Sequence, residues 1–517
     1  MGDPGPDFAL HLHSPMAFCS VGSRQAFMNA TRIFYRVLGL SVVAVAIEVG
    51  AATLNRPVIE VVDTNPDPRV FEAELSADAQ DVAIDDTVVH ALIYKDVNNP
   101  GAYAGIPDGL PLPQIVVTAG DEVAVKFTNN LAGDCAALAC SSSIHWHGLE
   151  LDNDSDGTTV TQNRLLEGES YTYRFLAPRP GIFWFHPHML PGPQTFAGMY
   201  GAFVVRDPSE ASLQGSARIP SATNTHTLVL SDVEFDAEGD LGYLLDGEVD
   251  AVPWATLKTL CEERRHSACR AIEDGETVLV NGQMPTSSTP RITAGSGAGI
   301  RLRLVNASTN RYFRLSVLGN GLDNNLYRIG GEGGFLEQVR LEGGTLGSWD
   351  TKFDQGEIVL GPAARADVVL VPKGDDGDVV TITGLGYERG GPSDGNPAGD
   401  LLYIEIDSGL AEAPFSIAAG NDVLGTGSVL DLKTETITDF LLDPVPFLPG
   451  KPGSGSGSAD ERITLNALDA GLLAIDGIPG RFGDDGADHA LVPFQDTSRY
   501  ARTGDTLELT VTNDTRL

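Results

Sequence analysis

His145-Trp146-His147-Gly148 and His186-Pro187-His188 place four imidazoles in two short clusters about forty residues apart, in a chain with ten histidines among 517 residues. Alternate side chains of a β-strand share a face, so His145 and His147 point one way together, and His186 and His188 do the same. Two such strands can bring four imidazoles to one site. Imidazole binds copper, zinc, iron and nickel, so the ligand type leaves the metal open. A lone buried histidine is more often a hydrogen-bonded core residue; two H-x-H pairs, each beside Trp or Phe, favour a metal centre over core packing.

Residues 143–207 contain, in order, SIHWHGLELDNDSDGTTVTQ, GIFWFHPHM and FAGMYGAFVVRDP. This order resembles the first cupredoxin domain of the multicopper oxidases, the laccase-like family. The resemblance implies an all-β chain of tandem cupredoxin-like Greek-key β-sandwich domains. It implies that His145 binds a type 2 copper and that His147, His186 and His188 bind type 3 coppers. Asp156 matches an acidic residue that in the family relays protons beside the cluster, a general acid/base role. The dipeptide Asp156-Gly157 is also a common turn, so the pattern alone supports both readings. Trp146, Trp184 and Phe185 read as packing around the ligands, and Gln162 and Met189 as neighbours without chemistry of their own.

The activity so implied is one-electron oxidation of a small reducing substrate, phenolic or a metal ion, at a blue copper, coupled to four-electron reduction of dioxygen to water. The six methionines include none between Ala411 and Leu517, which disfavours the methionine-rich cuprous oxidases of the family. Three other readings stand beside this one. A copper nitrite reductase would carry a Cys beside the histidines of its first domain, and none lies near His186 or His188. A zinc hydrolase lacks a carboxylate at ligand-like spacing. The third is a non-enzymatic copper-binding protein of cupredoxin fold.

The balance of 34 basic and 71 acidic residues, a formal charge of −37, repels nucleic acid and anionic membranes. Hydrophobic residues make up 42% of the chain, enough at this length for several cores. Arg32 and Arg36 precede an apolar run at 37–47, followed by Gly50, Ala51 and Ala52. That reads as a secretory signal within an extension at 1–52, with Met16 or Met28 as the initiator. The run is too short for a membrane span, and a secreted or periplasmic protein without stable membrane insertion is expected. Cys19 falls upstream of the mature protein. Cys135 with Cys140 and Cys261 with Cys269 is the most economical of the three pairings open to the other four cysteines. A thiolate metal site is the competing reading, disfavoured because neither spacing is C-x-x-C.

A loose repeat organises the chain. Ala119-Gly-Asp-Glu-Val-Ala-Val-Lys-Phe-Thr-Asn129 recurs at 294–306 and as Thr503-Gly-Asp-Thr-Leu-Glu-Leu-Thr-Val-Thr-Asn513. Each copy is a glycine turn feeding an alternating strand that ends at Asn. Three domains are therefore expected. The first spans 57–207 and holds half of a trinuclear copper site. The second, at 225–407, is metal-free. After a flexible linker at 449–458, the third begins at 459. In the first domain the ligand strand follows this repeat, so the third is expected to be incomplete at 517. In the family the remainder carries H-x-x-H-x-H and H-C-H segments, and with them the blue-copper ligands. The chain as written is accordingly expected to be an inactive fragment.

Overall fold

Strands dominate because alternation dominates. In Glu122–Asn129, Val123, Val125 and Phe127 turn inward while Glu122 and Lys126 face solvent. This strand pairs in parallel with Val70–Ile84 and antiparallel with Ser170–Leu176, and Thr87–Asp96 completes a four-stranded sheet. A five-stranded sheet faces it, ordered Ile59–Glu60, Pro113–Thr118, Gly201–Arg206, Gly181–His186, His145–His147. Between the sheets Trp146 is fully buried, its ring 5.2–5.6 Å from those of Tyr173, Phe175, Phe185 and Phe203. Removing so large a side chain from a packed core costs about 3–5 kcal/mol.

The computed structural model describes residues 52–425 except 105–108, 132–139, 159–160, 190, 237–238, 244–251, 254–273, 288–289, 320–324, 347–348, 388–396 and 411. It also describes the strands Asp460–Ala467, Leu473–Ile475, Ile478–Pro479 and Glu508–Asp514. The expected secretory signal up to residue 51, the expected linker at 449–458, Cys135, Cys261 and Cys269 lie outside the described residues. Cys140 is disulfide-bonded. Among the described residues no helix is long and apolar enough to cross a membrane.

A second sandwich follows the same plan. Thr225–Phe235 pairs in parallel with Ile300–Asn306, which pairs antiparallel with Arg365–Leu370. The opposing six-stranded sheet includes Thr53–Leu54, which crosses over from before the first sandwich to pair with Arg291–Ala294. In the last group of strands Asp460–Ala467 pairs in parallel with Glu508–Asp514. All three copies of the repeat thus hold one place, parallel to the opening strand of their sheet. The all-β expectation holds, with tandem sandwiches and, among the described residues, only short helices such as Asn153–Asp156 and Pro191–Phe196.

The long hairpin Val70–Ile84 and Thr87–Asp96 overshoots its own sheet. Its far half, with Val82, Ile84, Val89 and Ile93, packs in one cluster with Val229, Leu279 and Val305 of the second sandwich. Ile182 and Trp184, on the strand that leads to His186, belong to the same cluster. The histidine-bearing edge is therefore backed by both sandwiches.

Candidate metal centre

Cross-strand pairing builds the site. His145–His147 runs antiparallel to Gly181–His186, with His145 opposite His186, Trp146 opposite Phe185 and His147 opposite Trp184. Since successive side chains alternate, Trp146 and Phe185 enter the sandwich core, and His145, His147, Trp184 and His186 share the other face. Trp184 lies against two of the imidazoles, its ring centroid 5.2 Å from His147 and 4.3 Å from His186.

One expectation needs correction. Alternation predicts one strand through His186 and His188, but the strand ends at His186. Pro187 has no N–H to continue the ladder. His188 is therefore placed by the loop rather than by strand alternation. Its backbone N–H donates to Ser143 Oγ at 3.2 Å, and its ring lies 5.0 Å from that of His145 and 6.1 Å from that of His186.

The ligand atoms of His145, His147 and His186 all lie within 4.8 Å of one another. His147 Nδ1 is 3.1 Å from His186 Nε2. Two nitrogens each about 2.0 Å from one metal ion stand about 3 Å apart at near-right-angle coordination. The tautomers suit this use. His186 Nδ1 lies 2.8 Å from Pro187 O and His145 Nδ1 lies 2.7 Å from Asp156 O. A carbonyl only accepts, so both Nδ1 atoms carry protons and both Nε2 atoms present lone pairs.

His147, His186 and His188 are also biased toward the neutral form. Burial, then the Arg365 guanidinium and the neighbouring His145 and His188, push His147 down to about 4. Burial and the adjacent histidines hold His186 well below the usual range. His188 is lowered by burial and His145, partly offset by its own backbone and by Asp156. A neutral imidazole is the form a metal binds.

Asp156 ends the short helix Asn153–Asp156, and its Oδ1 lies 3.6 Å from His145 Nδ1. Gly157 makes that position possible: its φ is +74°, and a Cβ there would sit 1.7 Å from Ile144 O. Only glycine lets this turn lie so close to the histidine strand. Ser143 Oγ donates to Gly157 O at 2.7 Å and accepts from His188 N–H, tying the turn to the loop carrying His188.

Two residues that sequence reading did not single out complete the surroundings. Ser143 is one. Arg365 is the other, from the second sandwich, with its guanidinium beside Gly148. The glycine after His147 hints at a close approach, but nothing in the sequence names what approaches.

Residues 89–210 match the family described as multicopper oxidase. A multicopper oxidase of Mycobacterium tuberculosis is 32% identical over 221 residues, 41% of this chain and 40% of that protein. An L-ascorbate oxidase of Cucumis sativus is 38% identical over 109 residues, 20% of this chain and 17% of that protein. The chain thus spans less than half the length of these relatives. A solved laccase from Pediococcus acidilactici superposes with a TM-score of 0.55 at 19% identity, covering 89% of this chain and 76% of that one. The multicopper oxidase from the hyperthermophile Aquifex aeolicus superposes at 0.53 and 19% identity, covering 83% and 74%. The chain shares the fold of these solved oxidases, and the family match at 89–210 contains all four histidines.

Proposed function

We propose that this chain supplies His145, His147, His186 and His188 to the copper site where dioxygen is reduced in a laccase-like multicopper oxidase. The observation that carries this reading is the 3.1 Å approach of His147 Nδ1 to His186 Nε2, beside a third imidazole with its lone pair free. The donors fit copper, which accepts all-imidazole ligation. Copper, when bound, would supply the one-electron steps that join oxidation of a reductant to reduction of dioxygen.

The residues of the chain have separable tasks. Pro187 O and Asp156 O hold the ring protons of His186 and His145 away from the metal-binding nitrogens. Trp184 lies along His147 and His186 and is nearly inaccessible to solvent. It shields that side from water. The Asp156 carboxylate, partly exposed and next to His145, can take a proton from solvent and release it at the site. The reductant is a small molecule, phenolic or a metal ion such as manganese, and the apolar run at 37–47 directs export.

Copper titration followed by electron paramagnetic resonance tests the site. His147→Ala and His186→Ala should each remove a bound copper and its nitrogen couplings. In the whole enzyme, oxygen uptake driven by 2,6-dimethoxyphenol or Mn(II) should disappear with them. Equal copper binding by the wild type and both variants would refute the assignment.

A further inference from the structure

Arg365 opens a strand of the second sandwich, yet its side chain serves the histidine strands of the first. It is 4% exposed. The ladder between the two histidine strands stops at His147 opposite Trp184. Two residues further along, Ile182 gives its carbonyl to Arg365 Nε at 2.9 Å, a bond across the boundary between the sandwiches. The guanidinium takes the place of a strand neighbour where the His145–His147 strand turns away.

Arg365 is itself firmly held. Nη1 donates to Ala363 O at 2.8 Å and lies 3.4 Å from Glu332 Oε1, and the guanidinium lies over the Phe183 ring, 5.8 Å from its centroid. Gly148, immediately after His147, passes beside this group with φ at +88°. A Cβ on Gly148 would stand 2.4 Å from Arg365 Nη2 and 3.4 Å from Phe183. Arg179 pins the same turn from the other side, donating from Nη2 to Gly148 O at 3.1 Å and from Nη1 to Glu332 O at 2.5 Å.

We propose that Arg365 is a positioning residue for the metal centre: from the second sandwich it ends the ligand strand at Gly148 and fixes the placing of His147 against His186. The role of the centre rests on the reading given above; the positioning does not. A lysine cannot substitute, because a single ammonium lacks the planar fork that reaches the Ile182 and Ala363 carbonyls together.

The test compares wild type, Arg365→Gln, Arg365→Lys and Gly148→Ala. Imidazole nitrogen resonances are recorded on histidine-labelled metal-free protein, and Cu(II) affinity is measured by competition with a chelator. Thermal unfolding checks folding. In Arg365→Gln the His147 and His186 resonances should shift while those of His226, two strands away from the Arg365 strand in the second sandwich, stay in place. Copper affinity should fall about 10–100-fold, the usual loss when a residue supporting a ligand is removed. Arg365→Lys should not restore it. Gly148→Ala should shift the same resonances through an intact Arg365, and adding Arg365→Ala should relieve the steric part of that effect. Unshifted His147 resonances in folded Arg365→Gln and Gly148→Ala would overturn the proposal. If the wild type binds no copper at the histidines while the variants still move His147, positioning stands and the oxidase reading falls.

Discussion

Asn129 and Asn306 do the same work in successive sandwiches. Asn129 donates from Nδ2 to Cys140 O at 2.7 Å and to Leu165 O at 2.8 Å, and its Oδ1 accepts from Leu131 N–H at 3.1 Å. Asn306 donates to Arg311 O at 2.9 Å and to Leu360 O at 3.1 Å, and accepts from Ser308 N–H at 2.9 Å. Both are fully buried at the end of a strand paired in parallel with the opening strand of its sheet. The asparagine closing each of the first two copies of the repeat is thus a buried clamp on the chain that follows.

Asn129→Ala should therefore destabilise the first sandwich by about 3 kcal/mol, since it strands two carbonyls and an N–H away from water. Asn129→Asp should fare no better, because an ionised carboxylate donates to neither carbonyl. Urea denaturation followed by tryptophan fluorescence measures both. A wild-type midpoint for either variant contradicts the clamp.

Asp156→Asn separates two functions of one residue. The backbone carbonyl of Asp156 orients His145 and survives the substitution, so copper content should stay at the wild-type level. The carboxylate beside the ring is lost, and oxygen reduction in the whole enzyme should slow on the order of a hundredfold. Stopped-flow reoxidation by dioxygen and metal analysis distinguish the outcomes: unchanged reoxidation reduces Asp156 to a turn residue, and lost copper makes it structural.

His226, in the second sandwich, is pushed down to about 4 by burial. Between about pH 6.5 and pH 4 the unfolded chain binds a proton there that the folded chain refuses, so this residue lowers stability as pH falls through that window. Below about 4 the penalty stops growing. The stability difference between wild type and His226→Gln, measured in urea at pH 7 and pH 4.5, should change in favour of the variant at the lower pH. A difference independent of pH would show that His226 accepts its proton in the folded protein.

Much of the molecule was determined by local pattern. Alternation in Glu122–Asn129 specifies a strand with one buried face, because period two leaves no other way to bury Val123, Val125 and Phe127 together; its recurrence at Ile300–Asn306 is also a strand, but buried on both faces, Arg301 and Arg303 included. The H-W-H spacing likewise puts Trp146 in the core and both imidazoles on the opposite face. Alternation alone misplaces His188, because Pro187 has no N–H to continue the ladder past His186. Tertiary structure decided the rest, since it depends on residues far apart in the chain. The antiparallel register set His145 opposite His186 and brought His147 Nδ1 to His186 Nε2. Carbonyls of Asp156 and Pro187 chose which ring nitrogens stay free. Arg365, 183 residues from Ile182, reaches the ligand strand only because the two sandwiches pack together. No spacing in the sequence encodes that approach; it follows from the burial of apolar faces that draws one sandwich against the next.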